Sequence, residues 1–155
     1  MKKLLLLCLL FLSVQAESNT QVANCYNSLS TEISRHRAAI LCQGTTTSLE
    51  VESVKDCYKN ATDQRIEKTR AALLCNRSFS ITSQKARISC YQNKNGDISY
   101  QRSAILCAGI KDSTEAASII KCYKELTGTI NRDRASVLCS HSAIGAWVLI
   151  KNLYH

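Results

Sequence analysis

The sequence predicts an all-α fold of four tandem helical hairpins, each stapled by a disulfide and stacked as a solenoid or a compact bundle. Three observations carry the prediction: an even set of cysteines in the body of the chain, a motif that recurs with a fixed period, and helical spacing inside that motif. The motif comes in two halves. A cysteine followed by tyrosine appears as Cys25-Tyr26, Cys57-Tyr58, Cys90-Tyr91 and Cys122-Tyr123. A second cysteine closes a run of arginine, two small residues, a branched apolar residue and leucine. Its copies are Arg37 to Cys42, Arg70 to Cys75, Arg102 to Cys107 and Arg134 to Cys139. Isoleucine stands nine residues before each closing cysteine, at Ile33, Ile66, Ile98 and Ile130. The copies recur every 32 or 33 residues. A period of that size marks one supersecondary unit that cannot bury its own apolar stripe and must stack on its neighbours.

The elements follow in chain order. Residues 1–16 read as a cleaved export signal. Lys2 and Lys3 precede an apolar run from Leu4 to Leu12, and Ser13-Val14-Gln15-Ala16 offers a small-x-small cleavage site. The run is shorter than the roughly 20 residues a membrane-spanning helix needs. Cys8 lies inside this signal and takes no part in the repeat. Residues 17–155 read as one helical repeat domain, with units over approximately 20–44, 45–77, 78–109 and 110–141. Thr47-x-x-Glu50 and Asp112-x-x-Glu115 have the spacing of capping boxes opening a first helix. Asn95-Gly96-Asp97 and Thr127-Gly128-Thr129 break the chain between first and second helices. Gly44 and Gly109 stand two residues past a closing cysteine, where a helix end favours glycine. In the second helix, isoleucine, arginine, the branched residue and leucine at i, i+4, i+7 and i+8 share one face. Residues 142–155 read as a capping helix with Trp147, Val148, Leu149 and Ile150 as its apolar stretch. The other reading of that stretch is a docking or membrane-surface segment.

Eight cysteines in an exported chain predict a disulfide framework and a secreted or periplasmic location. Pairing Cys25–Cys42, Cys57–Cys75, Cys90–Cys107 and Cys122–Cys139 uses every cysteine within its own unit. Geometry argues the other way. With the first cysteine near the turn and the second about ten residues beyond it, a simple hairpin separates them further than the ~7 Å a disulfide spans.

The chain is basic, with 20 Lys and Arg against 12 Asp and Glu and a net charge of +8. The charges are spread along it rather than clustered, so an anionic surface polymer or a protein is the expected partner and nucleic acid is not. Arg37, Arg70, Arg102 and Arg134 share the apolar face and need partners there, because an unpaired buried charge is costly. Tyr26, Tyr58, Tyr91 and Tyr123 are the recurring candidates, by Arg–Tyr contact between units. The functional alternative is an arginine ladder, one rung per unit, facing carboxylates or phosphates. Lys59, Lys124, Arg35, Lys68 and Arg132 would widen it. The spacing of His36, His141 and His155 suits no metal pair, and no Cys-x-x-Cys motif is present. No nucleophile–base motif or phosphate loop appears, so no cofactor, metal or catalytic residue is expected. A membrane-active effector working through residues 147–150 is the alternative function, and a thiol or metal store is a weaker one. Asn60-Ala61-Thr62 and Asn76-Arg77-Ser78 are glycosylation sequons for a chain that passes through an endoplasmic reticulum. The unit size resembles that of other disulfide-stapled helical repeats. The Trp, Gly and Pro positions of the tetratricopeptide repeat are not matched.

Overall fold

In the computed structural model, residues 20–94 and 96–141 are described. The predicted signal (residues 1–16) and capping stretch (residues 142–155) lie outside them. Among the described residues there are eight helices and no strand. First helices are α1 (described over 20–29), α3 (Ser48–Asp63), α5 (Ile81–Gln92) and α7 (Ser113–Leu126). Second helices are α2 (Arg35–Cys42), α4 (Lys68–Cys75), α6 (Tyr100–Cys107) and α8 (Arg132–Cys139).

The second helices form the spine. Successive members α2, α4, α6 and α8 pack on one another, and α3, α5 and α7 each pack against the second helices of their own and the preceding unit. Contacts run within the hairpins and between successive ones, so the described helices form one disulfide-stapled helical stack. The burial pattern explains how one eight-residue helix serves several neighbours. Ala71 to Cys75 and Ser103 to Cys107 are buried at every position. A helix apolar on all sides belongs in a core, and here only small residues, branched residues and leucine fill those positions.

Each second helix opens on a capping residue three positions before the recurring arginine. These caps are Ser34, Glu67, Ser99 and Asn131. The carboxylate of Glu67 accepts from the backbone of Thr69 and Arg70, Ser99 from Arg102, and Asn131 from Asp133. Such a bond satisfies an orphan donor of the first turn. The recurring isoleucine therefore lies before the helix, not on its face as the spacing suggested. Ile66 and Ile98 are buried at the bend, and Ile33 and Ile130 are half-buried there. That is the position from which an apolar residue pins the entry of the chain.

The bend position also resolves the disulfide geometry. The bonds join Cys25–Cys42, Cys57–Cys75, Cys90–Cys107 and Cys122–Cys139, with Cα separations of 5.7, 5.6, 5.9 and 5.8 Å. The isoleucine sits eight or nine residues from either cysteine, so the two arms are nearly equal and the cysteines come level. The objection from arm length fails because the true centre of the turn lies at isoleucine, beyond the residues that looked like the break. The second hairpin has one extra residue, 18 against 17 between its cysteines. Arg65 absorbs it in a left-handed conformation, φ 63°. The N–H of Ile66 donates to Ala61 and that of Arg65 to Thr62, the paired bonds of a Schellman ending.

First helices carry their own caps. Thr47 and Glu50 form the predicted capping box of α3, and Asp112 caps α7 through the backbone of Thr114 and Glu115. Gly44 takes φ 79°, as its place after α2 demands. In the next unit the same place is held by Arg77 at φ 52°. Gly109 does not follow Gly44: its φ is not positive, and Ala108 before it continues the right-handed turn.

Candidate functional site

The recurring arginines all occupy the third position of a second helix, and the recurring tyrosines lie on first helices. The stack sets the arginine of one unit beside the tyrosine of the next. The Arg37 guanidinium acts electrostatically on the Tyr58 phenol, and the Arg70 guanidinium on the Tyr91 phenol. Burial raises the pKa of both phenols, and the neighbouring guanidinium opposes it. Both hydroxyls therefore stay protonated beyond the usual tyrosine range.

The third rung differs. Arg102 turns to Asp133 of the next unit at 2.7 Å, so the expected contact with Tyr123 gives way to an ion pair. Arg134 is exposed at the end of the spine and Tyr26 is half-buried at its start.

Four buried side-chain atoms among the described residues lack any hydrogen-bond partner: Nε of Arg37, Nε of Arg70, and the hydroxyls of Tyr58 and Tyr123. All four belong to the recurring Arg–Tyr set. A buried polar atom left unpaired costs on the order of 1–3 kcal/mol. The stack thus accumulates unmet hydrogen-bonding capacity at the same place in successive units.

Two cavities open beside these groups. One of about 340 Å³ is lined by Arg65, Glu67, Arg70, Tyr91, Gln92 and Tyr100, among others. Tyr100 is 55% exposed, lies 5.7 Å from the Tyr91 ring, and carries Lys94 Nζ at 4.2 Å from its centroid. The Arg70 guanidinium carbon stands 5.9 Å from the same ring. Such distances are those of cation–π contact. Glu67 is the acid of the cavity, and burial alone would raise its pKa. The backbone donors of Thr69 and Arg70, with the Arg70 charge, outweigh that and hold it low. Its carboxylate is engaged in capping the start of α4. The second cavity, about 200 Å³, is lined by Asp97, Ile98, Tyr123, Lys124, Thr127 and Arg132.

Of the five flanking cations, Lys124 and Arg132 line that second cavity, whereas Lys59 pairs with Asp63 at 2.7 Å on the surface. Arg35 and Lys68 are exposed at the first position of α2 and α4. Tyr100 replaces them at the corresponding position of α6. The repeat comparison contained this signal as a departure from a basic column.

A second departure is buried. Arg87 is 5% exposed and stands where the neighbouring units have Val54 and Ile119, both buried. Its Nε donates to the Ile110 carbonyl at 2.8 Å, and one terminal nitrogen donates to Leu74 at 3.1 Å and Asn76 at 2.6 Å. Burial lowers its pKa to about 10, with the Glu115 charge pulling the other way. The role is structural. Asn76 closes the end of α2 by donating to the Ile40 carbonyl, and Ser140 closes the end of α6 at the Ile105 carbonyl, 2.7 Å. The residue at the same place between α4 and α6 is Ala108, which has no donor on its side chain. At that junction Arg87 instead ties the end of α4 through the neighbouring carbonyls of Leu74 and Asn76.

Among the described residues no cluster of three His, Cys, Asp or Glu side chains can hold a metal, and no helix is long and apolar enough to cross a membrane. His141 pairs with Glu115. Trp147, Val148, Leu149 and Ile150 lie outside the described residues. No protein-family model matches the chain, and the searches of curated proteins and solved structures found no similar protein.

Proposed function

We propose that this chain is an exported, non-enzymatic binding module that presents its Arg–Tyr rungs to a protein or an anionic envelope or surface polymer. The four disulfides suit the oxidising, secreted or periplasmic setting this requires. One observation carries the reading: the buried polar atoms left without partners all lie in the recurring Arg–Tyr set. Polar groups that a fold needs only for itself are normally paired. Anionic groups arriving at the rungs would find guanidinium and phenol donors already held in place, with little conformational entropy left to lose.

The test is titration calorimetry of the oxidised protein against a carboxylate-bearing polymer, with its neutral analogue as control. The acidic polymer should bind, more weakly as salt rises, and the neutral one should not. Arg37→Gln with Arg70→Gln should lower affinity about tenfold or more, a change of about 1.4 kcal/mol or more, while the circular dichroism spectrum and melting temperature hold. Loss of the fold in that variant would assign the arginines to structure alone.

A further inference from the structure

The ends of the stack expose what its interior buries. The small residue three places before the closing cysteine is buried as Ala72, Ala104 and Ser136, but exposed as Ala39 in the first unit. The leucine just before the cysteine is fully buried as Leu41, Leu74 and Leu106, but 68% exposed as Leu138 in the last. These positions are two residues apart, about 200° around a helix of 3.6 residues per turn. They therefore point in opposite directions along the stack. The small residue faces the preceding unit and the leucine faces the following one. Second helices pack in succession, α2 on α4, α4 on α6 and α6 on α8, so by this burial pattern each junction sets one face of a second helix against the other face of the next.

The polar rung has the same polarity. At every junction the arginine of one unit reaches the next unit: Arg37 acts on Tyr58, Arg70 on Tyr91, and Arg102 pairs with Asp133. Arg134 is exposed at the last unit with no following repeat tyrosine among the described residues. Tyr26, with no preceding unit among the described residues, is half-buried, whereas Tyr58, Tyr91 and Tyr123 are buried.

We infer that the two ends are the two halves of one interface, and that the occupant of each is a second copy of this chain, joined head to tail. Leu138 of one copy packs on Ala39 of the next, and Arg134 meets Tyr26. The contact continues a junction the chain already forms between α2 and α4, α4 and α6, and α6 and α8. Because the two faces differ, the contact is heterologous and does not close on itself.

Sedimentation of the oxidised protein over a concentration series up to about 1 mM, the weak end of specific binding, tests this. The average mass should rise with concentration and pass the dimer. Leu138→Lys and Ala39→Lys each disable one end. Both residues are exposed, so each variant should keep the wild-type circular dichroism spectrum and remain monomeric. An equimolar mixture of the two should give a species of twice the mass and stop there, since one intact end of each kind remains. A wild type that stays monomeric throughout overturns the inference; that is the outcome if residues 142–155 already occupy the Leu138 end. A mixture that stays monomeric, or single variants that still associate, overturns it equally.

Discussion

At the scale of single residues, the strain and the unpaired atoms make the sharpest predictions. Arg65 holds a left-handed backbone that suits glycine. Arg65→Gly should stabilise by about 1 kcal/mol in chemical denaturation, and Arg65→Ala should not. Arg77→Gly should gain less, because the Arg77 side chain lies against Gly44, 3.0 Å from where a Cβ would stand. The Tyr58 hydroxyl is buried and unpaired, so Tyr58→Phe should leave stability at neutral pH unchanged or raise it by about 1 kcal/mol. If the rung binds ligand, the same variant loses affinity while keeping its fold. At alkaline pH the sign is set by burial. The unfolded chain releases the phenol proton near pH 10, whereas the folded chain holds it longer. The unfolded state then binds fewer protons, so stability falls as pH rises through about 10. Thermal melts across that range should show the fall, shallower in Tyr58→Phe.

At the scale of elements, the caps and the spine are separable. Glu50 and Glu115 are carboxylates whose pKa burial would raise. Hydrogen bonds at the helix starts, with Arg77 near Glu50 and His141 and Lys111 near Glu115, outweigh that and hold them low. Their contribution is present above the ordinary carboxylate range and is lost as pH falls through the folded values. Acid melts of Glu50→Gln and Glu115→Gln should be less steep in pH than those of the parent. In the spine, Leu106→Ala should cost about 2–5 kcal/mol, whereas Leu138→Ala, at the exposed end, should cost little. A comparable loss at both would contradict the direction of stacking. The cysteines, the spacing and the period were enough to read the helices and the pairing within hairpins. The bend is not marked by the glycine-containing breaks; the column of Ser34, Glu67, Ser99 and Asn131, three residues before each arginine, marks it. Arg87 and Tyr100 are hidden for a related reason: agreement between copies reveals the shared architecture, but compensation and local chemistry lie in the departures.

At the scale of the whole molecule, four covalent staples hold units whose second helices are only eight residues long. Isolated helices of that length do not persist in water, so the hairpins depend on the staples and on stacking together. Asn76 ties neighbouring units by donating to the end of α2 and is almost fully buried, whereas Asn60 is exposed on α3. If the chain meets an N-glycosylation apparatus, mass mapping should find glycan at Asn60 and none at Asn76 in folded protein, since a glycan on Asn76 has no room at that junction. The Arg–Tyr rungs and the two unlike ends both follow from hairpins closed in register, so the disulfide map is the decisive measurement. Digestion of the unreduced protein followed by mass spectrometry should recover Cys25 linked to Cys42, Cys57 to Cys75, Cys90 to Cys107 and Cys122 to Cys139, with no alkylatable thiol among the eight. Links across units, such as Cys42 to Cys57, or free thiols at these positions, would contradict the stack and everything built on it.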